Sequence, residues 1–201
     1  MKLSQLALCL ALAVLVTGSA FAADQNLLMN PDFSQIDSAT GLPADYIYDV
    51  HSGDIEFAAD GQTVRSGDYS VRIDGWSHGA RARVWQRIES PSFQAGATYK
   101  LSAWYQTEFI DDPAAVAVRV RFGGGEYALT EDMIVSAEGR SEVVADIHYY
   151  FYAVELAEGD WKKIEAVFQA PANVTNMPVE FFLIGVDGTV WWDDVSLERI
   201  D

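Results

Sequence analysis

Arg83, Trp85 and Arg87 recur at every second position of one short run. Ser102, Trp104 and Gln106 do so in a second, and Arg119 and Arg121 in a third. In an extended chain, residues two apart emerge on the same face. An indole offers a flat apolar plate. Guanidinium and amide groups form paired hydrogen bonds to neighbouring hydroxyls, and guanidinium forks also match carboxylates. The set suits a ligand whose ring is apolar on its face and rich in hydroxyls at its rim, as a sugar is. A strand with Arg81, Arg83 and Arg87 on one side does not bury that side with its charges unpaired. If the three strands neighbour one another, they build one curved, open surface with two tryptophans and several arginines. The alternative is an ordinary solvated face on which these arginines pair with carboxylates.

The elements that must carry these residues read as strands. Short runs rich in Val, Ile, Tyr, Phe and Trp are broken by Gly, Pro, Asp and Asn, and no long helical period appears. In residues 99–106, Tyr99, Leu101, Ala103 and Tyr105 oppose Lys100, Ser102, Trp104 and Gln106. Residues 81–88 and 116–122 alternate in the same way. Further strands are expected at 69–74, 161–169, 179–184 and 189–198, with turns at Arg65–Asp68, Gln94–Gly96, Gly123–Gly125 and Asp187–Gly188. About eight to ten short strands in one domain imply a jelly-roll β-sandwich of two antiparallel sheets. Residues 143–154 fit either an added hairpin strand or a loop packed over a sheet.

The 201 residues hold 13 Lys+Arg against 30 Asp+Glu, a formal charge of −17. This balance argues against nucleic acid as a partner. Eight of the basic residues lie between Arg65 and Arg121, whereas 23–64 has none, so an acidic chain carries one basic region. Met1-Lys2, the apolar run 6–16 and Ala20-Phe21-Ala22 have the pattern of a cleaved secretory leader, residues 1–22, followed by one domain over 23–201. The apolar run is too short for an ordinary membrane span. The expected product is a monomer in the periplasm or outside the cell. It has no thiol, because Cys9 lies in the leader.

Three segments line up in order. They are Asn26-Leu27-Leu28-Met29-Asn30-Pro31-Asp32-Phe33, then Ser66-Gly67-Asp68-Tyr69-Ser70-Val71-Arg72-Ile73 with Gly96–Trp104, and finally Val190-Trp191-Trp192-Asp193-Asp194-Val195-Ser196-Leu197. Together they resemble the CenC-like carbohydrate-binding modules, the family 4/9/22 type with a galactose-binding-domain-like jelly roll. The resemblance implies a non-catalytic domain that binds a polysaccharide or oligosaccharide on a concave sheet. Trp85, Trp104, Arg83, Arg87, Gln106, Arg119 and Arg121 would supply contacts, and Tyr127 would stand at the cleft edge. It also implies a structural calcium held by Asp194, with Asp32 and Ser34 contributing, although Ser34 stands where the family often carries Glu. The strand at 179–184 departs from the polar family pattern, which argues against a neutral glucan. Convergent arginines would favour an acidic glycan.

Two other readings share the scaffold. A polysaccharide lyase or glycoside hydrolase needs positioned acids and bases. Arg119, Arg121, His148 and Tyr150 are the residues a lyase would draw on. A secreted adhesion or protein-interaction domain needs only a surface. His51, His78 and His148 are scattered, with no zinc-binding spacing.

Overall fold

The structure is a computed structural model that describes residues 25–201; the leader assigned to residues 1–22 lies outside them. The strands are β1 (Ile47–Ser52), β2 (Ile55–Asp60), β3 (Ser70–Gly75), β4 (Arg81–Glu89), β5 (Thr98–Glu108) and β6 (Val116–Arg121). They continue as β7 (Ile134–Ala137), β8 (Ser141–Val144), β9 (His148–Tyr152), β10 (Lys162–Gln169), β11 (Asn176–Ile184) and β12 (Gly188–Arg199). They form two antiparallel six-stranded sheets, ordered β1-β4-β11-β6-β9-β8 and β2-β3-β12-β5-β10-β7. This is the expected all-β jelly roll. Among the described residues no helix is long and apolar enough to cross a membrane.

The chain changes sheet at almost every step: β3 lies in the second sheet, β4 in the first, β5 in the second, β6 in the first. Strands adjacent in sequence therefore face each other across the core, while lateral neighbours come from distant segments. β11 lies between β4 and β6, in register Glu180 to Trp85 and Glu180 to Arg119. On the inner faces, Tyr99, Leu101, Ala103 and Tyr105 of β5 meet Val116, Val118 and Val120 of β6 and Phe181 of β11, all excluded from solvent. Trp192 packs at 5.5 Å from Phe181 and 6.0 Å from Tyr105. Burying aromatic and aliphatic surface of this kind is the main stabilising term, and it needs no disulfide.

The N-terminal motif is a clamp. The Asn26 side chain donates to the Val195 carbonyl and accepts from the Leu197 amide, tying the start of the domain to β12. Buried Asn30 bonds the backbone of Gln35 and Ala44, and Phe33 fills the core. Residues 143–154 resolve as the hairpin alternative: β8 and β9 pair through a turn in which Ala145 and Asp146 have φ of 54° and 56°. The Gly123–Gly125 segment differs from the expected hairpin turn. It closes against residues 173–176, with Gly123 bridged to Asn176, and a Cβ on Gly125 would lie 1.6 Å from the Asn173 carbonyl oxygen. Glycine is needed there for close approach of two loops rather than for strand reversal.

Candidate functional site

The outer face of the first sheet gathers most of the expected residues. Arg83, Trp85 and Arg87 project from β4, Arg119 and Arg121 from β6, Tyr150 and Tyr152 from β9, and Glu180 and Phe182 from β11. Glu180 lies at the centre, fully excluded from solvent. Its carboxylate accepts from Arg83 Nη1 at 2.7 Å, from Arg121 Nε at 2.6 Å and from Arg119 Nε. A buried carboxylate is tolerated only when paired and hydrogen-bonded, and here three guanidinium groups satisfy it.

The arginines are not equivalent. Arg83 spends its fork internally: Nε and Nη2 donate to Asp49 Oδ2, at 3.0 and 2.7 Å, and Nη1 donates to Glu180. Arg119 is held by Glu180 and by the Tyr150 hydroxyl at 3.0 Å. Arg121 uses only Nε, so among the described residues no hydrogen bond engages its terminal nitrogens. Arg87 is half-exposed and, among the described residues, its one ion-pair partner is Glu89, at 3.7 Å. Arg87 and Arg121 are thus the donors free for a ligand, and Arg83 and Arg119 hold the surface in shape.

Trp85 is on this outer face, not between the sheets, but it is only 8% exposed. Its Nε1 donates to Asp49, and the guanidinium carbons of Arg83 and Arg87 stand 5.2 and 5.6 Å from its ring centroid. The indole supports the arginines more than it offers an open stacking plate. Half-exposed Tyr152 stacks at 5.7 Å on Tyr150 and carries the Arg140 guanidinium 4.7 Å from its ring centroid. A concavity of about 320 Å³ beside this pair is lined by Arg81, Arg140, Glu142 and Tyr150 as well.

Trp104 and Gln106 are elsewhere. The expectation that they stand beside Trp85 fails because β5 belongs to the second sheet. They emerge on the opposite side of the sandwich, where the Arg65 guanidinium covers Trp104 at 3.7 Å. Tyr127 donates to the Phe122 carbonyl at 2.8 Å and packs edge-on against Phe122, as a half-buried prop beyond β6. Glu180, Tyr150 and Tyr152 are the site residues that the binding-face reading missed. The one available signal was a lone Glu within the apolar β11 run, since such a carboxylate requires buried cationic partners.

His148, next to Arg121 in register, remains neutral to about pH 4 because burial, then the Arg119 and Arg121 charges, oppose its protonation. An unfolded histidine titrates near pH 6.5. The stability contributed by neutral His148 is therefore present above that pH and declines as the pH falls through 6.5 towards about 4. An NMR titration of its ring protons is expected to give a midpoint near pH 4, and an ordinary midpoint would contradict this packing.

The carboxylates considered for calcium do lie near one another, at the Arg65–Asp68 turn. Asp194 pairs with Arg65 and accepts from the Ser66 hydroxyl. Asp32 Oδ1 accepts from the Ser34 amide, and Ser34 Oγ accepts from the Asp68 amide. Buried Asp193 accepts from the amides of Arg65, Ser66 and Asp194. Calcium takes six to eight oxygens. Here the Asp193 and Asp194 oxygens already serve protein donors, Arg65 places a cation on Asp194, and among the described residues no group of three or more His, Cys, Asp or Glu is arranged to hold a metal. Melting temperatures in excess calcium and in EDTA are expected to coincide; a clear rise with calcium would show that Arg65 yields its place.

These features define a jelly-roll β-sandwich with a polar, arginine-rich outer face on one sheet. Comparison with solved structures agrees on the fold. The xylan-binding CBM22 domain from Paenibacillus barcinonensis superposes with a TM-score of 0.56 at 10% identity, over 89% of this chain and 97% of that one. A candidate sugar-binding protein from Bacteroides thetaiotaomicron gives 0.59 at 15% identity, over 88% of this chain and 100% of that one. The enzymatically active domain of tailspike protein 4 from bacteriophage CBA120 gives 0.57 at 15% identity; 87% of this chain matches 21% of that one, so this chain spans about a fifth of the tailspike domain. No protein-family model matches the sequence. No curated protein is similar to it.

Proposed function

We propose that this chain is a secreted, non-catalytic carbohydrate-binding module that holds an acidic polysaccharide along the outer face of the first sheet. The observation that carries the reading is the convergence of Arg83, Arg119 and Arg121 on buried Glu180 in a chain of charge −17. Glu180 and Asp49 together neutralise two of the three guanidinium groups, so this cluster keeps one positive charge in excess, with Arg87 beside it. Arg121 and Arg87 present donors whose forks match uronate carboxylates. The solved structures support a glycan as the ligand: one is described as a xylan-binding domain, another as a candidate sugar-binding protein.

The test is titration with oligogalacturonate. Binding that weakens with salt, together with a His148 midpoint raised from about 4 as the ligand screens Arg119 and Arg121, is the expected result. Binding without any movement of that midpoint would place the ligand elsewhere. A second reading, a polysaccharide lyase, is favoured by one observation: Arg119, Arg121, neutral His148 and Tyr150 share this face, with the His148 and Tyr150 rings 6.3 Å apart. A neutral imidazole is a competent base and an arginine can neutralise a uronate. Unsaturated product accumulating in the same titration would decide for the enzyme.

A further inference from the structure

A second cleft, of about 390 Å³, lies on the far side of the sandwich. It is lined by Gln106 and Glu108 at the end of β5, Phe109 just beyond it, Glu158 in the β9–β10 connection, Trp191 of β12 and Thr63. Its most unusual member is Phe109, which is 80% exposed and has a φ of 59°. A bulky residue in the left-handed region is strained, by about 1–3 kcal/mol in general. The strain is imposed from both sides. Ile110 is buried in the core, and Gly188 packs so closely that a Cβ there would lie 2.8 Å from the Phe109 carbonyl oxygen. The result is an aromatic ring held out in solvent, where burial returns nothing for the strain.

The walls around it are built rather than loose. Thr107 N donates to the Ala157 carbonyl at 3.0 Å, Ala157 N donates back to Thr107 Oγ1 at 2.9 Å, and Thr107 bridges Glu158. Trp191 is fixed by its Nε1 donating to Asp60 at 2.9 Å. Among the described residues no arginine or lysine lines the cleft. Its polar lining consists of the Glu108 and Glu158 carboxylates, the Gln106 amide and two threonines; the carboxylates accept hydrogen bonds from hydroxyls and repel anions.

We infer that this cleft is a second saccharide site, selective for neutral sugar rings, with Phe109 as the stacking platform and Gln106, Glu108 and Glu158 as hydroxyl acceptors. It is independent of the arginine face and has the opposite charge preference. A polymer with neutral and uronate stretches could occupy both.

The test is amide NMR on the chain with cellohexaose, xylohexaose and mannohexaose as probes, and with trigalacturonate as the anionic control. At least one neutral oligosaccharide is expected to shift the Glu108, Phe109 and Glu158 amides saturably, and trigalacturonate is expected to shift none of them. In Phe109→Gly the affinity falls about tenfold or more, while the melting temperature equals or exceeds that of the wild type, because glycine accepts the left-handed conformation. Arg121→Ala leaves these shifts intact, which separates this site from the arginine face. Three silent neutral probes, or unchanged binding in a folded Phe109→Gly, would overturn the inference.

Discussion

Replacing Glu180 with alanine is expected to destabilise the fold more than any other single change on the outer faces. The side chain is fully buried, and the Arg83 and Arg119 side chains that reach it are only 12% and 11% exposed. Removing one partner of a buried ion pair costs about 3–5 kcal/mol, because the remaining charge is left desolvated. Here three guanidinium groups lose their common acceptor and repel one another. For a domain of this size each kcal/mol lowers the melting temperature by about 2–4 °C, so a fall on the order of 10 °C is expected. Glu180→Gln keeps the shape and one acceptor oxygen, and should fall between alanine and wild type. If Glu180→Ala melts with the wild type, the carboxylate does not organise this face. Asp49→Ala is a milder comparison, because Arg83 keeps Glu180 when Asp49 is lost.

The second large effect concerns binding without loss of fold. Arg87 and Arg121 carry the free donors, and their side chains are 48% and 31% exposed. Each charge-assisted hydrogen bond to a uronate is worth about 1.5–3 kcal/mol, so Arg121→Ala should weaken oligogalacturonate binding by about tenfold to a hundredfold. The double variant with Arg87→Ala should abolish measurable binding and its salt dependence. The melting temperature should move little in Arg87→Ala and only modestly in Arg121→Ala, since Glu180 keeps Arg83 and Arg119. Calorimetric titration at two salt concentrations, alongside thermal melts, reads both quantities. Undiminished binding by the double variant would remove the arginine face from the proposed function.

Within each strand the sequence was a reliable guide. The alternation of Tyr99, Leu101, Ala103 and Tyr105 against Lys100, Ser102, Trp104 and Gln106 appears in the structure as core against exterior. The alternation that places Arg83, Trp85 and Arg87 together likewise persists on β4. Two early strands, β1 and β2, gave little signal, because half-exposed edge segments such as Ile47–Ser52 lack a continuous apolar stripe. The β8–β9 hairpin was ambiguous for a different reason. Its turn needs two left-handed residues, a conformation usually signalled by Asn-Gly or Asp-Gly, and the chain uses Ala145-Asp146.

The amino-acid order by itself determined which side of each strand is wet and which is dry, because that depends on a period of two and on the cost of burying charge. It also determined the two-sheet class and the basic character of the middle of the chain. Which wet sides become neighbours was decided only by the tertiary structure. A chain that switches sheets at nearly every step sends β5, with Trp104 and Gln106, to the far side, and brings β11 from near the C-terminus between β4 and β6. Glu180 meets Arg83 and Arg119 across sequence separations of 97 and 61 residues. Such a meeting depends on how the whole core packs, and no local spacing encodes it.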